Sequence, residues 1–227
     1  SIQSLAASAR EAWIKLYKAT PASRDSQISY YRLGAAVAFC LDVRLRQRGH
    51  SMAAILRELW LGHGRQARGY SRHDIKAALA PWDADLPADL DQWLDQPEAL
   101  PLIDCVEALG LRMDPVPLKH PDHGLTLKDG EGAALIQRVR RQSPGQRAGL
   151  VVGDELLAIN GYRVRRSSDL VPLLEQQNCV SVTYARRSRI KETQLFPDKG
   201  VDHWSLDWDP GCTTEQRQLR DRWFEIV

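Results

Sequence analysis

From Ser1 to about Val116 apolar residues recur at intervals of three and four and β-branched runs are scarce, so this half of the chain reads as all-α. A first helix carries Ala6, Ala7, Ala12, Trp13, Leu16 and Tyr17, and Pro21 with Ser23 closes that stretch. The longest helix is expected from near Ile28 to about Arg48, with Gly49 as its C-terminal breaker. Its apolar run, Leu33 to Leu41, is followed by the polar Asp42 and Arg44. Ser51 offers an N-cap to MAAILRELWLG, which Gly62 and Gly64 stop, and Ser71 caps a short helix in SRHDIKAALA. PADLDQWLDQ and LPLIDCVEALG supply two more.

Beyond Pro117 the rhythm changes. Turn signals at DGEG, SPGQ, VGDE and INGY separate short runs such as AALIQRV, ELLAI and VSVTY, the pattern of a small β-rich domain. One helix, SSDLVPLLEQQ, interrupts it, with Ser167 or Ser168 as cap, Leu170, Leu173 and Leu174 as buried face, and Pro172 near the first turn, where a missing amide costs least. The tail from Val201 holds Trp204, Trp208 and Trp223, and TTEQRQLRDRWF reads as a helix with Thr213 and Gln216 spaced for a capping box. Aromatic density of that kind suits docking onto the helical half.

A chain of 227 residues accommodates two modest domains, and 43% hydrophobic with 26% charged residues is the balance of a globular protein able to bury a core. The expected organisation is an α+β multidomain chain: a helical domain over 1–117, a β-rich domain over 118–198 and a Trp-rich tail over 199–227 with a short helix. A net charge of +2 without a clustered basic footprint argues against nucleic acid. The longest apolar run is far shorter than the roughly 20 residues of a membrane span. The opening SIQSLAASAREAW lacks a basic leader followed by an apolar stretch, so a cytoplasmic location is expected, although a start without methionine leaves room for an upstream segment. Cys40, Cys105, Cys179 and Cys212 form no C-x-x-C pair and suit a reducing compartment.

The most specific string is SPGQRAGLVVGDELLAING, Ser143 to Gly161. It resembles the central segment of PDZ domains, especially those attached to bacterial proteases. Gly149 and Gly153 permit turns, Leu150, Leu156, Leu157 and Ile159 supply core, and Asn160-Gly161 is a favoured turn pair. PDZ domains add a peptide end as a strand and receive its carboxylate on a loop of backbone amides. The resemblance carries that loop onto HGLTL: amides at His123, Gly124 and Leu125, a pocket from Leu125 and Leu127 with Leu174 opposite, and Ser167 reading the third-last peptide position. The alternative is a PDZ scaffold whose groove is blocked and which braces its neighbour. Arg138, Arg140, Arg141, Arg186, Arg187 and Arg189 either favour acidic peptides or form a solvated face. His120 and His123 have H-x-x-H spacing but no third ligand, and read as a loop.

The helical half, through SLAASAREAWIKLY, SQISYYRLGAAVAFCLDVRLRQR, SMAAILRELW and GYS in that order, resembles the C-terminal helical part of the glycyl aminopeptidase family. These are zinc peptidases of the thermolysin-like group with a PDZ domain after the catalytic one, and the resemblance spans essentially the whole chain. It implies that a tyrosine three residues before a glycine at a helix start stabilises the oxyanion formed when water attacks the peptide carbonyl. Here that is Tyr31, ahead of Gly34, with Tyr30 as the alternative one residue earlier. Without the resemblance, two tyrosines entering a helix read as core packing.

The family holds zinc with two histidines and a glutamate, and a second glutamate in H-E-x-x-H acts as base. No H-E-x-x-H occurs in this sequence, so the zinc ligands are expected upstream and none in this chain. The resemblance therefore implies the C-terminal fragment of a zinc aminopeptidase that removes small N-terminal residues such as glycine or alanine from peptides. Its implied partners are peptide substrates, C-terminal peptides at the PDZ groove, and the upstream catalytic region. The competing readings are a non-enzymatic PDZ adaptor and a peptidase homologue without activity.

Overall fold

The computed structural model describes residues 3–15, 28–97, 100–175 and 177–224. Two compact units result, one formed by the helices with residues 206–224 and one by residues 115–205. The helical unit begins with α1 (Leu5–Lys15), α2 (Tyr30–Gln47), α3 (Met52–Gly62), α4 (Arg72–Leu79), α5 (Leu86–Asp95) and α6 (Leu102–Ala108). The expected caps Ser51 and Ser71 are in place, and Ser29, which the sequence reading did not single out, caps α2. The hydroxyls of Ser29 and Ser51 accept the Arg32 and Ala54 amides, and Ser71 with Asp74 forms a reciprocal capping box, satisfying amides that a helix start leaves without partners.

The core of this unit is built on α2, which buries Val37, Cys40, Leu41, Val43 and Leu45 against Ile55, Leu79, Leu86 and Trp93. The polar residues in that run serve as ties. Asp42 accepts the Met52 amide at 2.7 Å and Arg46 Nε at 2.8 Å, fixing the start of α3, and Arg44 reaches Asp83 at 3.0 Å and Asp89 at 3.2 Å. Burial alone pushes the Asp83 carboxyl up, but the hydrogen bonds from Arg44 and the Asp85 amide outweigh it and hold the group below the usual carboxylate range. In α1 the expected apolar Trp13 is instead exposed, because the helix turns Leu5 and Ser8 inward, and Ser8 Oγ donates to the Ile28 carbonyl at 2.9 Å. Leu16, Tyr17, Pro21 and Ser23 lie outside the described residues.

After α6 the chain forms strand β1 (Leu111–Pro117) and enters the second unit. There β2 (Leu125–Asp129), β3 (Ala134–Val139), α7 (Pro144–Arg147), β4 (Glu155–Ile159), β5 (Tyr162–Arg163), α8 (Leu170–Leu174), β6 (Val180–Arg186) and β7 (Arg189–Leu195) follow. The strands pair antiparallel in the order β2-β3-β4-β6-β7, with β5 against β4. Asn160 and Gly161, both at positive φ, close the β4–β5 hairpin that the sequence announces. Val180, Val182 and Tyr184 alternate inward on β6 and meet Ile136, Leu156, Ile159, Leu170 and Leu174. Leu157, expected in this core, stays half-buried because strand alternation turns it to the other face from Leu156. The Asp154 carboxylate is buried and takes two bonds from the Arg186 guanidinium, both 2.7 Å. Neither Ser167 nor Ser168 caps α8. Ser167–Asp169 is a 3-10 turn, and the Asp169 carboxylate, a stronger acceptor than a hydroxyl, takes the Arg165 and Arg166 amides.

The return path is β8 (Val201–Trp208), which pairs with β1 in a two-stranded ribbon, and then α9 (Thr214–Phe224). Both ribbon strands correct the sequence reading, which placed 111–116 in the helical half and gave the tail only a helix. A two-stranded ribbon has two free edges, so Pro115 and Pro117 are tolerated in β1. The Thr213–Gln216 capping box forms with both bonds present, at 2.8 and 3.2 Å. Leu219 of α9 is buried in the helical core, and Trp223 packs edge-on against Phe39 at 5.7 Å between ring centres. Trp204, by contrast, is exposed on β8. Among the described residues no helix is long and apolar enough to cross a membrane.

Candidate functional site

Two places in the fold carry candidate chemistry, one in each unit. The first is the start of α2. Tyr30 and Tyr31 stack with ring centres 4.2 Å apart, but their environments differ. Tyr30 is half-buried and packs on the helical core, whereas Tyr31 is 68% exposed. Gly34 lies one turn on from Tyr31, on the same side of the helix, and a β-carbon there would meet nothing within 4 Å. The Tyr31 phenol is therefore a hydrogen-bond donor on a rigid helix with open space beside it.

The second place is the HGLTL segment at the start of β2. Gly124 has φ of +69°, and a β-carbon there would collide with the Ser143 side chain, so the loop closes only around glycine. A Gly124→Trp change would thus break the loop rather than plug a groove. Of the expected loop amides, Gly124 N–H donates to Asp122 Oδ1 at 3.0 Å and Leu125 N–H donates to His123 Nδ1 at 3.1 Å. The other Asp122 oxygen is paired with Arg140, whose own amide donates to the Gly124 carbonyl at 2.7 Å. Leu125 and Leu174 are buried in the core of this unit and Leu127 is half-buried beside them. Ser167 donates its amide to Asp129 Oδ1 at 2.7 Å, which ties the start of the 3-10 turn to the end of β2.

The sequence reading names Arg140 only within a group of arginines and does not single out Asp122, Asp129 or Ser143. A signal for Asp122 was present, because an aspartate two residues before a glycine is the signature of a side chain that bonds its own backbone two residues on. The arginine group is not one patch. Arg140 and Arg186 each neutralise an aspartate that is almost wholly buried. His120 and His123 face each other at 6.4 Å between ring centres, and among the described residues no group of three or more histidine, cysteine, aspartate or glutamate side chains is placed to hold a metal ion.

Burial pushes His123 down to about 4, and Arg140 and His120 act in the same direction while Asp122 opposes them. The neutral ring is what its acceptor role toward Leu125 requires. A histidine depressed in the folded state keeps its stability above the unfolded value near 6.5 and loses it as pH falls toward the folded value. We expect the β-rich unit to lose on the order of 2–3 kcal/mol between pH 7 and pH 4.5 from this group, at about 1.4 kcal/mol per pH unit. Urea midpoints at the two pH values check this. His123→Gln should flatten that part of the dependence, and an unchanged slope in the variant would assign it elsewhere.

Residues 135–186 match the family model of the PDZ domain. The loop and β2 just described lie immediately before the matched residues. No curated protein matches the sequence. Among solved structures, the fold is similar over 98% of this chain to an aminopeptidase N family protein from Idiomarina loihiensis, at TM-score 0.80 and 22% identity. The chain spans 40% of the length of that protein. Weaker likenesses are to an HtrA-type protease with a decapeptide (14% identity, TM-score 0.33, 36% of this chain and 30% of that one) and to the HtrA3 PDZ domain bound to a phage-derived ligand (18% identity, TM-score 0.33, 43% and 93%). The chain thus joins a PDZ domain to a helical part whose fold is that of an aminopeptidase N family neighbour.

Proposed function

We propose that this chain is the C-terminal portion of a zinc aminopeptidase of the glycyl aminopeptidase type, acting on peptides with small N-terminal residues. The observation that carries the reading is Tyr31, an exposed phenol beside a core-packed Tyr30, in a fold similar along its length to an aminopeptidase N family protein. In this reading the Tyr31 hydroxyl donates to the oxyanion that develops as water attacks the peptide carbonyl, and Gly34 leaves room for the substrate to approach. The helical unit also exposes Trp13, Ile14, Leu56, Trp60 and Tyr70, an amount of large apolar surface that suits coverage by a further domain.

Zinc is assigned to residues outside this chain, whose described side chains offer no site that fits it. Its contribution would be to polarise the carbonyl and activate the water. The residues of this chain supply the hydrogen-bond donor and the PDZ groove, which recruits a peptide segment. The expected result is that the protein extended upstream purifies with one zinc per chain and releases amine from a glycyl substrate, while the 227-residue chain does neither. Zinc and hydrolysis in the 227-residue chain, or neither in the extended protein, would overturn the proposal, the latter in favour of a PDZ adaptor or an inactive homologue.

A further inference from the structure

Asp122 makes, with its two oxygens, the contacts that a peptide's terminal carboxylate seeks in a groove of this kind. One oxygen accepts the Gly124 loop amide at 3.0 Å and the other faces the Arg140 guanidinium. The side chain is almost fully buried, and its backbone is fixed by a two-bond bridge to Asp198 at 2.8 and 3.0 Å. The next loop amide, Leu125 N–H, is engaged by His123. A free C terminus arriving at this loop would find these two amides already donating and a fixed carboxylate in its place. Like charges set face to face disfavour a partner strongly.

The rest of the groove is nevertheless formed. β2 is the end strand of the sheet, so its outer edge presents backbone donors and acceptors to a further strand. The Asp129–Ser167 bond places the start of the α8 segment at the far end of β2. At the loop end a cavity of about 730 Å³ opens, lined in part by Lys119, His120, Pro121, Gln177, Asn178 and Lys199. Pro121 adjoins Asp122, and Gln177 and Asn178 follow α8, so the cavity lies where a bound strand would leave the groove. A peptide that ends at the loop has no use for that space. One that continues needs it.

We propose that this PDZ domain binds an extended segment from the interior of a polypeptide along the free edge of β2, and that Asp122 is the residue that rejects free C termini. The inference rests on the peptide-binding reading of the groove and is independent of the aminopeptidase reading. The probe is a set of random segments displayed on phage in two formats, at a free C terminus and between Gly-Ser flanks. The best binder is then made as a free acid, as a C-terminal amide and with a Gly-Ser-Gly extension, and titrated against the 227-residue chain.

The amide and the extended peptide should bind at least about tenfold more tightly than the acid. Asp122→Ala should close or invert that gap. Asp122→Asn, which keeps an acceptor for Gly124 while removing the charge, carries the comparison if the alanine variant does not fold. An acid that binds as well as the amide, or a gap that persists when Asp122 is neutralised, would overturn the proposal while leaving the groove intact as a peptide site. The absence of binders in both formats would overturn the peptide-binding reading itself, and the proposal with it.

Discussion

Tyr31→Phe in the protein that includes the upstream region is expected to lower kcat by about 100- to 1000-fold, the usual scale for losing one oxyanion donor. KM should stay near its starting value, because the hydroxyl meets negative charge only as the carbonyl is attacked, so kcat and kcat/KM fall together. The thermal midpoint should not move, since Tyr31 is 68% exposed and its ring is retained in the variant. Tyr30→Phe is the internal control. That ring packs against the helical core and is retained in Tyr30→Phe, so kcat should stay near the parent value. Steady-state kinetics on both variants decide the register. A large loss in Tyr30→Phe with a silent Tyr31→Phe would move the role one residue back, and activity unchanged in both would remove the oxyanion role from α2.

What the sequence made legible follows how local each signal is. Ser51, Ser71 and the Thr213–Gln216 pair act within one helical turn, and the Asn160-Gly161 hairpin within four residues, so spacing alone was enough for the expected helices and turn. The β1–β8 ribbon was hidden because its partners are about ninety positions apart and β1 carries two prolines. The alternation of Trp204, Leu206 and Trp208 was the readable trace of β8, masked by the usual reading of tryptophans as core. The candidate loop shows the same division. Gly124 and the Asp122 bond to its amide are marked by local spacing, but the Arg140 and Asp198 contacts that hold Asp122 in place have no local pattern. Likewise a tyrosine pair gives no hint of which ring faces outward until Tyr30 is seen against the core.

The largest stability effect is expected from Arg44→Met. Arg44 sits in the last turn of α2, where Val43 and Leu45 on either side are fully buried, and its guanidinium is the nearest cation to Asp83, at 3.0 Å. Methionine keeps much of the stem's volume and its helix preference, so the change acts mainly through charge. It leaves a carboxylate that is 5% exposed with the Asp85 amide and the more distant Arg48, at 3.5 Å, as its remaining partners. Breaking a buried pair from one side typically costs 3–5 kcal/mol, and with Arg48 still present we expect about 3 kcal/mol by urea unfolding at pH 7. Adding Asp83→Asn should recover much of that loss, because the second change removes the stranded charge. The pH dependence supplies an independent sign. Asp83 is held below the ordinary carboxylate value in the folded chain, so its contribution is complete above about pH 4 and fades as pH falls through the lowered value. In Arg44→Met the balance tips toward burial, the group takes up its proton at higher pH, and the gap between variant and parent should narrow in acid. A gap that stays constant from pH 7 to pH 3 would mean that Arg44 stabilises α2 through packing rather than through Asp83.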